Sequence, residues 1–342
     1  MASTVRSDVI IPEIFTPYLV EATTQRDAFL ASGVVSPLEA LNATEGGDFV
    51  NIPNWKANLA GDFEVLTDST SLTVGNITAD KQTGVILHRG RAFESRDLAG
   101  LAAGSDPMAA IGDKLGAYIA NQRQKDLVQS LAGVFGSLNN NTNASAFFDL
   151  TIDSELADTP TVLSPRHVAE ARALLGDAGD KLSVIVMHSK CFYDLYERRA
   201  IDYVDDTLVR GTSTTQSGGS IAGAYGSPQV PVYMGMRVVV SDDVETAGSG
   251  STTEYGVYLM TAGSVASGEQ AGINVETDRD ILSKSSALSV DLHYVYHPVG
   301  AKWNVTTVNP SRSDLATATN WAKVYETKNI GMVRATVVSN MD

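Results

Sequence analysis

Between Gly46 and Arg96 the chain reads as a long two-armed β-hairpin too thin to bury its own apolar residues, and this segment constrains the fold more than any other. The first arm carries Val50 and Ile52 and, after Pro53, the alternating set Trp55, Ala57 and Leu59. The return arm carries Leu72, Val74 and the run Val85–Leu87, with Thr73, Thr78 and Thr83 adding β-branched character. Between the arms lies an acidic tip, Gly61, Asp62, Phe63 and Glu64, with Asp68 close by. An arm of about a dozen residues reaches about 40 Å, and an isolated two-stranded ribbon is marginal in water. The expected cover for its apolar side chains is another subunit.

Soon after the hairpin comes the clearest helix in the sequence, opened by Asp106 as N-cap and Pro107 at the first helical position. Ile111, Leu115, Ile119, Leu127, Leu131 and Phe135 recur at helical spacing, and Gly136 supplies the stop. The expected result is one helix of about 40 Å, with Asp113, Lys114, Arg123 and Lys125 on its exposed face.

Composition removes several function classes. With 342 residues, 43% hydrophobic and 19% charged, the chain has the make-up of an ordinary folded protein of about two domains. It contains no apolar run long enough for a membrane helix and no charged-then-apolar leader, so neither a membrane partner nor secretion is expected. Cys191 is the only cysteine, which excludes an internal disulfide and a zinc site built on several thiolates. The formal charge is −15, and no segment clusters Lys and Arg as a phosphate-binding surface requires, so tight nucleic-acid binding is not expected.

Beyond the helix, Phe147–Ile152 reads as a strand and Ser164–Pro165 opens a second helix that Gly176 closes. The apolar run Leu182–Met187 reads as a strand buried on both faces, followed by a helix capped at Ser189. Residues 211–226 form a Gly/Ser/Thr-rich loop by composition. Val230–Met234 with Arg237–Ser241 reads as a hairpin, and Tyr255–Thr261 as a further strand. Ala287–His297 alternates cleanly, with Leu288, Val290, Leu292, Tyr294 and Tyr296 inward and Ser289, Asp291 and His293 outward. A short helix around Leu315–Trp321 and a strand Met332–Val338 end the pattern, and the class is α+β.

Little in the sequence suggests catalysis. The nucleophile elbow, the phosphate loop and the dinucleotide fingerprint are all missing, so no cofactor, metal or catalytic residue is assigned. His188 and Cys191 are the nearest approach to a reactive pair, which keeps a cysteine-dependent hydrolase as a remote alternative. A cap at His188 and a small buried thiol at Cys191 are the plainer expectation. His293 and His297 are too far apart along one strand face to share a metal. Asp205–Asp206 and Asp242–Asp243 fall where turns are expected.

The order of these parts, together with Ser7–Phe15 (SDVIIPEIF), Gly33–Val34, Gly46–Gly47 before Val50, Ile52 and Pro53, Met187–Lys190 (MHSK), His297–Trp303 (HPVGAKW), Asn320–Trp321 and Lys328–Gly331 (KNIG), resembles the major capsid proteins of tailed double-stranded DNA bacteriophages, the HK97-type fold. The resemblance covers essentially the whole chain. It implies an N-terminal arm over 1–45, an extended loop over 46–96, a peripheral domain with a spine helix over 97–163 and 272–299, and an axial domain over 164–271 and 300–342. Its implied role is a structural shell subunit rather than an enzyme, forming pentamers and hexamers and working in the virion after assembly in the host cytoplasm.

The partners implied are other copies of the chain, a scaffolding protein, a portal protein, in some shells a decoration or cement protein, and packaged double-stranded DNA contacted weakly and non-specifically. With only residues 1–45 ahead of the hairpin, the scaffold is expected to be a separate protein. An encapsulin-like nanocompartment is the alternative within the same fold. At the expected inter-subunit contact, Trp55, Leu59 and Phe63 supply apolar surface. The acidic Asp62, Glu64 and Asp68 meet Lys81, Arg89 and Arg91 of the adjacent copy.

Overall fold

The computed structural model describes residues 29, 32–42, 46–55, 63, 65, 74, 77, 79–104, 106–136, 138, 145–153, 161–205, 229–249 and 253–341. In chain order the elements are β1 (Val35–Pro37), β2 (Phe49–Trp55), β3 (Ala79–Val85), β4 (Leu87–Arg96), α1 (Asp97–Ala103), α2 (Pro107–Phe135), β5 (Thr151–Asp153), α3 (Pro165–Leu175), β6 (Val184–Met187), α4 (Ser189–Glu197), β7 (Asp202–Asp205), β8 (Gln229–Tyr233) and β9 (Met236–Val240). They continue with β10 (Thr246–Ala247), β11 (Glu254–Met260), β12 (Val265–Asp280), β13 (Ser285–Pro298), β14 (Ala301–Trp303), α5 (Arg312–Leu315), β15 (Trp321–Lys323) and β16 (Met332–Val338).

α2 is the expected long helix. Asp106 accepts a hydrogen bond from the Met108 N–H at 2.9 Å, Pro107 starts the first turn, and Gly136, at φ +82°, ends it. Its first half is largely exposed, whereas from Ile119 to Phe135 it is buried on most sides. Arg123 therefore does not lie on an exposed face. Its guanidinium sits over the rings of Tyr294 and Tyr296 and donates to the Tyr296 hydroxyl at 2.9 Å. Gly133 is required on this helix because a Cβ there would strike the Leu315 carbonyl and come within 2.6 Å of the Trp321 indole nitrogen.

A four-stranded sheet in the order β1-β12-β13-β4 lies against α2. β13 alternates as its sequence indicates, so Val290, Leu292, Tyr294 and Tyr296 join the main core. Val295, on the opposite face, joins a smaller cluster with Leu41, Ile86 and Ala266. A second sheet runs β5-β16-β11-β6-β9-β8-β7, with β10 on β11. β6 at its centre is buried throughout, as the unbroken apolar run requires. One contiguous core joins both sheets to the C-terminal half of α2, and Trp303 meets Trp321 edge-on at 5.1 Å across the β14–β15 pair.

Three local expectations change. The strand read at Phe147–Ile152 is a 3-10 turn, Phe148–Leu150, followed by β5. The helix read at Leu315–Trp321 starts earlier as α5, because Ser311 and Asp314 form a reciprocal capping box, and Trp321 already opens β15. The hairpin read across Gly46–Arg96 divides at Ile86: β2 pairs with β3, but β4 leaves the ribbon and pairs with β13 from Leu87 opposite Tyr294 to Arg96 opposite Ser285. The glycine-rich 211–226 and residues 1–28 lie outside the described residues.

Candidate functional site

The base of the ribbon is locked to the body by side chains of both its strands. Val50 and Ile52 of β2 pack on the small cluster of Leu41, Ile86, Ala266 and Val295. Gly84 of β3 leaves only enough room for Val295, whose Cγ1 would lie 3.2 Å from an added Cβ. Buried Gln82 provides the polar lock, its Oε1 accepting from the Gly300 N–H at 2.9 Å and from His297 Nε2 at 3.1 Å. Burial pushes the His297 pKa down to about 4, so the ring is neutral at physiological pH.

Past this base the apolar side chains among the described residues face solvent. Trp55 is 66% exposed, and Phe63, Val65, Val74 and Ile77 are exposed as well. Lys81 and Arg91 are exposed too. Leu59, Asp62, Glu64 and Asp68 lie outside the described residues.

Arg89 is committed within the chain. Its Nε donates to Asp126 Oδ2 at 3.0 Å, while its other nitrogens donate to the Asn309 side chain and the Pro310 carbonyl, each at 2.8 Å. Asp126 is fully buried on α2 and also accepts from Arg312 Nε at 2.5 Å and from the Tyr294 hydroxyl at 2.6 Å. Burial together with this carboxylate pushes the Tyr294 phenol well above its ordinary range. One carboxylate thus ties α2 to β4, β13 and α5 through charge-assisted hydrogen bonds. The sequence reading missed Asp126. Its available signal was position, since it precedes Leu127 directly on a helix whose apolar pattern is dense there.

The suspected reactive pair is structural. Cys191 is buried, and His188 is the N-cap of α4, its Nδ1 accepting from the Lys190 N–H at 3.2 Å. Among the described residues no group of three or more His, Cys, Asp or Glu side chains is placed to hold a metal ion, and no helix is long and apolar enough to cross a membrane.

Comparison with known proteins bears on this geometry. Residues 14–331 match the family described as Gp13-like, major capsid protein 13-like. The chain is 36% identical over 347 residues to the major capsid protein of Bacillus phage SPP1, covering 98% of each. Two solved structures share the fold: the capsid asymmetric unit of cyanophage Pam1, with TM-score 0.60 and 15% identity, and the capsid of Ralstonia phage GP4, with TM-score 0.61 and 10% identity. Each match covers 99% of both chains.

Proposed function

Because the chain belongs to the Gp13-like family of phage major capsid proteins, we propose a specific way in which it closes a shell. The protein is a structural subunit of a tailed-phage capsid with the HK97-type α+β fold, not an enzyme, and it assembles with copies of itself into the capsid lattice of the virion. Within that lattice the segment 46–96 lies over the adjacent copy in pentamers and hexamers. The four-stranded sheet and α2 form the peripheral domain, and the eight-stranded sheet forms the axial one.

The observation that carries this reading is the contrast along the ribbon. Gln82, Val50 and Ile52 hold its base to the body, while Trp55, Phe63, Val65 and Val74 beyond that base are left in solvent. Solvated aromatic and aliphatic side chains on a thin ribbon are the apolar half of an interface between subunits. A heterologous contact of this kind closes into rings. Assembly takes place in the host cytoplasm with a scaffolding protein and a portal. The shell then encloses double-stranded DNA, which an acidic chain contacts weakly and without sequence preference.

Trp55→Asp tests the arm directly. The variant is expected to fold and melt as the unassembled parent does, because Trp55 is largely exposed and belongs to neither apolar cluster described above, yet to yield few closed particles by negative-stain microscopy. Parent-like particle yield would refute the proposed role of the arm.

A further inference from the structure

His88 on β4 and His293 on β13 stand opposite each other in the strand register, on the sheet face turned away from α2. Their Nδ1 atoms are 3.0 Å apart, and the rings meet nearly edge-to-face with centroids 4.4 Å apart. With both rings neutral, one Nδ1–H donates to the other Nδ1. That separation also suits a chelate. With metal–nitrogen bonds of about 2.0–2.1 Å, nitrogens 3.0 Å apart subtend roughly 91–97° at the ion. This is the cis angle of octahedral and square-planar centres.

The surroundings of His293 supply an independent indication. Its other ring nitrogen, Nε2, faces Asp291 Oδ2 at 3.9 Å, and Asp291 Oδ1 accepts from the Asn274 side-chain amide at 3.3 Å. At that distance Asp291 makes no hydrogen bond to the ring, but a small turn of His293 would bring Nε2–H to the carboxylate, the kind of partner that orients a metal-ligating imidazole. His88 is fixed from its own side, where its backbone N–H donates to Asn309 Oδ1 at 3.1 Å.

We propose that His88 and His293 form a two-nitrogen site for a divalent transition-metal ion, with water in the remaining positions. Affinity follows the order Cu2+ over Ni2+, with Mg2+ not competing. On binding, both rings turn so that their Nδ1 lone pairs converge on the ion. The proton that lay between them moves to Nε2 of the ring that carried it, so two neutral rings release no net proton. An Nε2–H on His293 then donates to Asp291. The ion bridges β4 and β13 close to the point where the ribbon leaves the body.

The test uses the untagged, unassembled full chain near pH 7.5 in a non-chelating buffer, titrated with NiCl2 and with CuCl2. The parent is expected to bind one ion per chain and to melt at a higher temperature with the ion present. His88→Asn and His293→Asn should each weaken binding by at least about tenfold, and Asp291→Asn should weaken it less. The Cu2+ electron paramagnetic resonance spectrum of the parent, which depends on no variant, should carry the splitting of two imidazole nitrogens. Absence of saturable binding, parent-like affinity in either histidine variant, or a spectrum without two nitrogens would each overturn the site.

Discussion

At the scale of single residues the joint is held by polar groups that apolar periodicity does not reveal. Asp126 is fully buried, and its partners Arg89 and Arg312 keep 25% and 40% of their side chains exposed. Its removal therefore frees two cations that water reaches in part, and Asp126→Ala is expected to cost about 3 kcal/mol, the lower end of the range for breaking a buried pair. Urea unfolding of the unassembled chain measures it, and a loss below about 1 kcal/mol would mean that the three bonds do little. His297 predicts a pH dependence. Its folded pKa is about 4 against an ordinary 6.5, so the unfolded chain takes up the proton first as pH falls. This contribution is intact above about pH 6.5, declines down to about pH 4, and totals on the order of 3 kcal/mol. His297→Gln should flatten the unfolding free energy across that interval, and an unchanged slope would assign the acid sensitivity to other groups. The sequence revealed that His293 faces outward, because alternation fixes the faces of β13. It gave no sign that His88 would stand opposite, since that pairing is set by the register with β4.

Among whole elements, legibility followed the strength of local signals. α2 was readable at both ends because an Asp-Pro start and a glycine stop act locally, and β13 and β6 because one is half-buried and the other buried throughout. β12 escaped the reading. From Glu269 onward it is mostly exposed on both faces, so it carries no alternation to detect, although it pairs with β13 as far as Asp280. α5 was displaced in the reading because the Ser311–Asp314 box went unrecognised, and a helical stretch was placed by its apolar residues instead of by its cap. The exposed half of α2 contains Gly112 and Gly116, and a Cβ at either would meet nothing within 4 Å. Neither close approach nor positive φ calls for glycine there, so Gly112→Ala and Gly116→Ala should each stabilise the single chain by up to about 1 kcal/mol. Melting of the unassembled variants checks this, and a loss of stability would point to a contact beyond those described.

For the molecule as a whole, a formal charge of −15 bears on both association and contents. The acidic tip residues Asp62, Glu64 and Asp68 are proposed to meet the exposed Lys81 and Arg91 of an adjacent copy, whereas Arg89 is held by Asp126. Reversing all three tip charges to Lys should reduce closed-particle yield most at low ionic strength and less in high salt, because a Debye length of about 10 Å at 0.1 M shrinks to about 3 Å at 1 M. Equal yields at every salt concentration would argue against a charge-matched contact.

The division of the hairpin at Ile86 has a mechanical consequence. β3 belongs to the ribbon and β4 to the body, and a single residue separates them. A pull on the ribbon that overcomes the anchors at Gln82, Val50 and Ile52 therefore runs along the backbone into β4 and loads its pairing with β13. Arg89, the third residue of β4, passes part of the same tension to Asp126 and so into the long helix.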